Sequence, residues 1–235
     1  LPTRHGAAMV ASATEVERAM HALADSARRT EHEVEGRVRV TLTEGLAQHV
    51  VVPHVLPALF EAHPGLAIDL VATDEPRDLM RHEADIALRF FRTTAGELVG
   101  RRATRLKLGV LASKRRARSL AGRTIASLPW VGYERPGFET PEAAFLSSHG
   151  APRPRLACSS VESQLAAVRA GLGVALAPRL LTTRHSDLVT IELGEPFTPP
   201  TLEVFVVTRR AIRDVPRVAV VFDALVATLA DIDAQ

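Results

Sequence analysis

Three short polar stretches stand where an apolar alternating run gives way to a helical pattern: Thr41-Leu42-Thr43-Glu44-Gly45, Thr73-Asp74 and Ser159-Ser160-Val161-Glu162. In an α/β sheet, ligands bind beyond the carboxyl ends of strands, where helix N-termini offer unpaired N–H groups and a positive dipole end. Hydroxyls and carboxylates at such points cap the helix or hold a small polar ligand, and any single one of the three is explained by capping. Three that converge on one cleft point to a ligand.

Other chemistry is poorly served by residue type and spacing. The sequence holds no Gly-x-Ser-x-Gly elbow, phosphate loop or His-Glu-x-x-His helix. Gly171-Leu172-Gly173 lacks the third glycine of a dinucleotide fingerprint, and Val174-Ala175-Leu176 follows as a strand where that fingerprint needs a helix. A tight helix-to-strand turn explains both glycines. His49 and His54 are five apart, and His82-Glu83-Ala84-Asp85 clusters donors beside a strand, but neither has the i,i+4 spacing of a helical metal site. Cys158 reads as a small buried residue with no convincing base for a nucleophile. The expectation is a protein that is not an enzyme, with no catalytic residue, metal or cofactor. Residues 101–118 carry eight basic side chains and no acids, yet Arg105-Leu106-Lys107-Leu108 alternates like a strand with one solvated face.

The elements that must position these junctions alternate between strand and helix. Val38, Val40 and Leu42 alternate as a strand, followed by a helical stretch over residues 46–62 bent at Pro53 and Pro57. Strands are expected at 66–72, 84–90, 98–102, 106–112, 130–133, 156–159, 174–177, 188–193 and 202–207. Helices are expected at 77–82, 141–148, 161–170, 178–183 and 215–232. Such alternation with short turns predicts an α/β protein with mostly parallel sheet.

The basic stretch 112–123 is the expected crossing from a first lobe to a second, and 196–200, with three prolines, the expected return. Lobe one then comprises 36–112 and 204–235, lobe two 113–203, with a cleft between them.

Residues 1–35 read as a separate helix. Met9, Ala13, Val16, Met20, Leu23 and Ala27 are spaced 4, 3, 4, 3 and 4, an a/d seam of period 3.5 flanked by charges. The stripe fits helix pairing, or an amphipathic helix lying on its own domain.

The chain has 235 residues, 46% hydrophobic and 24% charged, the mix of a globular fold rather than a disordered one. The longest stretch free of charged residues, 45–60, is too short and too interrupted to span a bilayer. With one cysteine and no export leader, the expected location is the cytoplasm, with no membrane partner. Twenty-nine basic against twenty-seven acidic side chains give +2. The high pI of about 9.2 reflects how little titrates between histidine and arginine, so it carries no case for nucleic-acid binding.

The blocks Gly36-Arg37-Val38-Arg39-Val40, Pro53-His54-Val55-Leu56-Pro57-Ala58-Leu59-Phe60-Glu61-Ala62-His63-Pro64-Gly65 and Ala84-Asp85-Ile86-Ala87-Leu88-Arg89 resemble, in this order, the regulatory half of LysR-type transcriptional regulators. Residues 160–178, with Ala167-Val168-Arg169-Ala170-Gly171-Leu172-Gly173-Val174-Ala175-Leu176-Ala177-Pro178, are similar to the family's second signature. The resemblance covers residues 1–232. It implies two Rossmann-like lobes of type 2 periplasmic-binding-protein fold, preceded by a long N-terminal linker helix that pairs subunits into a homodimer or homotetramer. It also implies a winged helix-turn-helix that contacts promoter DNA and is absent here, Leu1–Gly6 being the expected passage from it into the linker helix. The effector site implied by the family is the inter-lobe cleft, at Thr43, Glu44, Thr73, Arg89, Phe90, Ser160 and Val161. Many members carry a small uncharged residue where Glu44 stands, so an amine or a neutral polar effector fits as well as a carboxylate. The competing expectations are a free-standing solute-binding protein of this fold and an enzyme on an α/β scaffold.

Overall fold

The computed structural model describes residues 34–72, 83–90, 96–134 and 139–233, with Met20 and Leu79. Met9, Ala13, Val16, Leu23 and Ala27 of the seam, Thr73, and almost all of the helix expected at 77–82 lie outside the described residues. Met20 is helical and exposed.

Strand β1 (Gly36–Leu42) buries Val38, Val40 and Leu42 on one face, as its alternation requires. A helical rod follows: an α turn at Glu44–Leu46, a π-helical stretch at Ala47–Val55 and an α segment at Leu56–Ala62, together α1. The bend expected at Pro53 takes the form of this wider coil. Proline has no N–H to donate and its ring crowds the preceding turn, and Leu56 closes the stretch by donating to the Val51 carbonyl five residues back. Strands β2 (Leu66–Ala72) and β3 (Ile86–Arg89) flank β1 in parallel.

The rest of the sheet corrects the expectation of mostly parallel pairing. In the order β2-β1-β3-β9-β4-β7, β9 (Thr201–Arg209) pairs antiparallel with both β3 and β4 (Leu98–Ser113), and β4 pairs antiparallel with β7 (Ala175–Pro178) and β8 (Leu188–Ile191). Alternation in sequence reports which face a residue takes but not the direction of its neighbour.

Strand β4 runs unbroken over 16 residues, Leu98–Ser113, where two strands were expected. A register shift between Arg102 and Thr104 turns the neighbours Ala103 and Thr104 inward together. This bulge breaks the period of two without ending the strand. Beyond it the expected alternation holds, with Arg105 and Lys107 exposed and Leu106 and Leu108 buried. The strand pairs with β9 as far as Lys107 and with β7 and β8 from Leu108 onward. It therefore links the part of the sheet built on β9 to the part built on β7 and β8, and the chain between β8 and β9 links them a second time.

Lobe two also contains α2 (Lys114–Leu120), the parallel pair β5 (Val131–Tyr133) and β6 (Leu156–Cys158), α3 (Pro141–Ser148), α4 (Val161–Arg169) and α5 (Leu181–Arg184). Gly171 has φ +82°, and a Cβ on Gly173 would lie 2.1 Å from the Pro129 carbonyl oxygen. Both glycines thus serve the turn from α4 toward β7. The closing helix α6 (Pro216–Asp233) buries Val218, Val221, Phe222, Leu225 and Leu229 against β1, β4 and β9.

Candidate functional site

The end of β1 delivers Thr43 to the start of α1. Its backbone is extended and its hydroxyl makes no capping hydrogen bond. Glu44 is exposed, and its Oε1 accepts from Gln48 Nε2 at 2.9 Å, one turn along the rod. Arg89, at the end of β3, turns back over the sheet and donates through Nη1 to the carbonyls of Leu88 at 3.0 Å and Thr41 at 3.3 Å. Phe90 is half-buried against the main apolar core.

Lobe two presents the N-terminus of α4. Ser160 caps it: its Oγ accepts from the Ser163 N–H at 3.1 Å and donates to Ser163 Oγ at 3.0 Å. The two helix starts face each other, since a Cβ on Gly45 would lie 3.7 Å from the Val161 side chain. Two of the three polar junctions, Thr41–Gly45 and Ser159–Glu162, therefore meet across the lobes.

Beside this contact a group of side chains escaped the sequence reading. His49 Nε2 on α1 donates to Glu162 Oε1 on α4 at 2.5 Å, with 9% and 34% of the two side chains exposed. The His185 ring, just after α5, stands edge-on to His49 with centroids 5.4 Å apart, and its buried Nε2 has no hydrogen-bond partner. Further along α1, His54 Nδ1 accepts from Arg184 Nη2 at 3.2 Å. Burial and, to a lesser extent, the adjacent Arg184 hold His54 below the ordinary histidine range. Burial is also the chief cause of the lowering at His185, with His49 and Arg169 adding to it and Glu162 and Asp187 opposing. The spacing of His49 and His54 offered a hint, since five residues put both near one face of a wide π coil. Their partners lie more than a hundred residues away in sequence.

Among the described residues no group of three or more His, Cys, Asp and Glu side chains is placed to hold a metal ion, and no helix is long and apolar enough to cross a membrane. Cys158 is buried, which raises its thiol above the usual range and disfavours the nucleophilic thiolate.

Residues 31–230 match the family model described as the LysR substrate binding domain. The chain is 27% identical over 180 residues to the Mau operon transcriptional activator of Paracoccus denitrificans, a match covering 76% of this chain and 60% of that protein's length. Among solved structures it is similar to the CrgA regulatory domain of Neisseria meningitidis, with TM-score 0.72, 20% identity, and 83% of this chain against 99% of that one covered. It is also similar to the effector domain of AmpR of Pseudomonas aeruginosa, with TM-score 0.68, 17% identity, and coverage of 85% and 98%. The proteins named here are transcriptional regulators, and nothing in these likenesses supports a free-standing solute-binding protein. With its two lobes joined by two passages of chain, this protein belongs to the LysR family and is an effector-binding domain of the type 2 periplasmic-binding-protein fold.

Proposed function

We propose that the cleft between lobe one (36–112 and 204–235) and lobe two (113–203) binds a small polar metabolite through Thr43, Glu44, Thr73, Arg89, Phe90, Ser160 and Val161. Binding changes the geometry of a homodimer or homotetramer paired through residues 1–35, and so the spacing of N-terminal winged helix-turn-helix domains on promoter DNA in the cytoplasm. The observation that carries this reading is the approach of Gly45 to Val161, which sets the starts of α1 and α4 against each other across the lobes. The Thr43 hydroxyl makes no capping bond and the Glu44 carboxylate is exposed, so this rim suits an effector bearing an amine or hydroxyl. Arg89, whose guanidinium reaches the Thr41 carbonyl, would take a carboxylate on the same molecule.

A ligand shifts such a regulator only by its differential affinity for two arrangements, typically worth about 1–3 kcal/mol. The test is a thermal-shift and calorimetric screen of polar metabolites, repeated on Thr43→Ala and Arg89→Ala. A ligand that stabilises the chain and loses affinity in both variants is expected. A ligand bound equally well by both variants would place the site elsewhere.

A further inference from the structure

One flank of the cleft is bridged by ionisable groups that the effector site does not use. His49 and His54 on α1 of lobe one reach Glu162 on α4 and Arg184 on α5 of lobe two, and His185 packs edge-on against His49. These are cross-lobe polar contacts between side chains more than a hundred residues apart, and they border the Gly45–Val161 approach. Opening the lobes must break them.

We propose that His49, Glu162, His185, His54 and Arg184 form a protonation-dependent latch that holds the lobes closed at neutral pH and releases them on acidification. His185 places a buried ring nitrogen without a hydrogen-bond partner beside the His49 ring, so a proton on His185 puts a charge where burial disfavours it and no acceptor receives it. The carboxylate in reach, Glu162, is already bonded to His49. Arg169 and Asp187, which also face His185, are paired with each other at 2.7 Å and largely cancel. A proton on His54 removes the lone pair that accepts from Arg184 and leaves two cations in contact. The other acids on α1 are both exposed: Glu44, which is bonded to Gln48, and Glu61.

The sign follows from linkage. His54 and His185 have values lowered in the closed form, and opening returns both toward the ordinary range, so the open form binds more protons. Closure is fully favoured above the ordinary histidine value and is lost as pH falls below it.

The latch operates in the free chain. It rests on the effector reading only for its consequence, that affinity at the cleft varies with pH. The test is the distance between nitroxide labels on Phe60→Cys of lobe one and Leu172→Cys of lobe two, both exposed positions, in a Cys158→Ser background diluted with unlabelled chain. From about pH 8 to about pH 5 a longer distance should grow at the expense of a shorter one while circular dichroism stays unchanged. Glu162→Gln should show the longer distance already at the alkaline end, and His54→Gln with His185→Gln should keep the shorter one throughout. A distribution that does not move with pH, a double variant that titrates like the parent, or a change that coincides with unfolding would overturn the latch. A metabolite screen that finds no ligand would sink the effector reading and leave this result standing.

Discussion

The two helices that face each other across the cleft begin in opposite ways. In lobe two, Ser160 spends its hydroxyl on Ser163 at both the backbone N–H and the side chain, so the start of α4 is satisfied from within. In lobe one, Thr43 occupies the same structural position before α1 and makes no such bond, and the rod behind it widens into a π coil around Pro53. One helix start is capped by its own hydroxyl and the other is not. If the proposed effector binds between them, only the uncapped start has to be ordered on binding, which lowers the cost of association.

The comparison breaks most sharply in the core. Phe222 is packed into the apolar cluster that continues from lobe one into lobe two. Phe222→Ala should cost about 3–5 kcal/mol in urea unfolding. A single transition is expected, and two separate ones would mean that the lobes are independent. Gly173→Ala comes next. Its Cβ would collide with the Pro129 carbonyl oxygen, so a loss of roughly 1–3 kcal/mol is expected, read in the same single transition.

The caps sharpen the contrast at smaller magnitude. Ser160→Ala should lower stability by about 1 kcal/mol, whereas Thr43→Ala should leave stability nearly unchanged and weaken effector binding instead. Equal losses of stability in the two variants would erase the difference between the walls. The smallest effect concerns Glu142 on α3, whose carboxyl is raised mainly by burial. The folded chain thus holds that proton more tightly than the unfolded chain, and stability falls as pH rises past the ordinary carboxylate range. Glu142→Gln should therefore stabilise the chain at neutral pH and make no difference in acid, as read from unfolding midpoints.

Much of the element order was legible because its signals are local. Strand β2 and helix α3 carry their own pattern and punctuation, and both occupy the expected residues. The elements misread are those where a neighbour intervenes. The bulge at Ala103 and Thr104 hid the continuity of β4, because two successive inward residues look like the end of an alternation. The antiparallel placement of β9 left no trace in its own residues. At the site, the polar junctions stood out by composition, while the bond between His49 and Glu162 did not, since nothing within either segment indicates the other.

Apolar period, capping residues and the ordered blocks from Gly36 to Pro178 were enough to determine the α/β class, the junctions rich in hydroxyls and the family. These depend on interactions within a few residues of chain, which sequence records directly. Which strand lies beside which, where β4 leaves one lobe for the other, and which histidine meets which carboxylate were decided only when distant segments packed together. Such pairings are set by the shape of the whole core rather than by any residue's own preference.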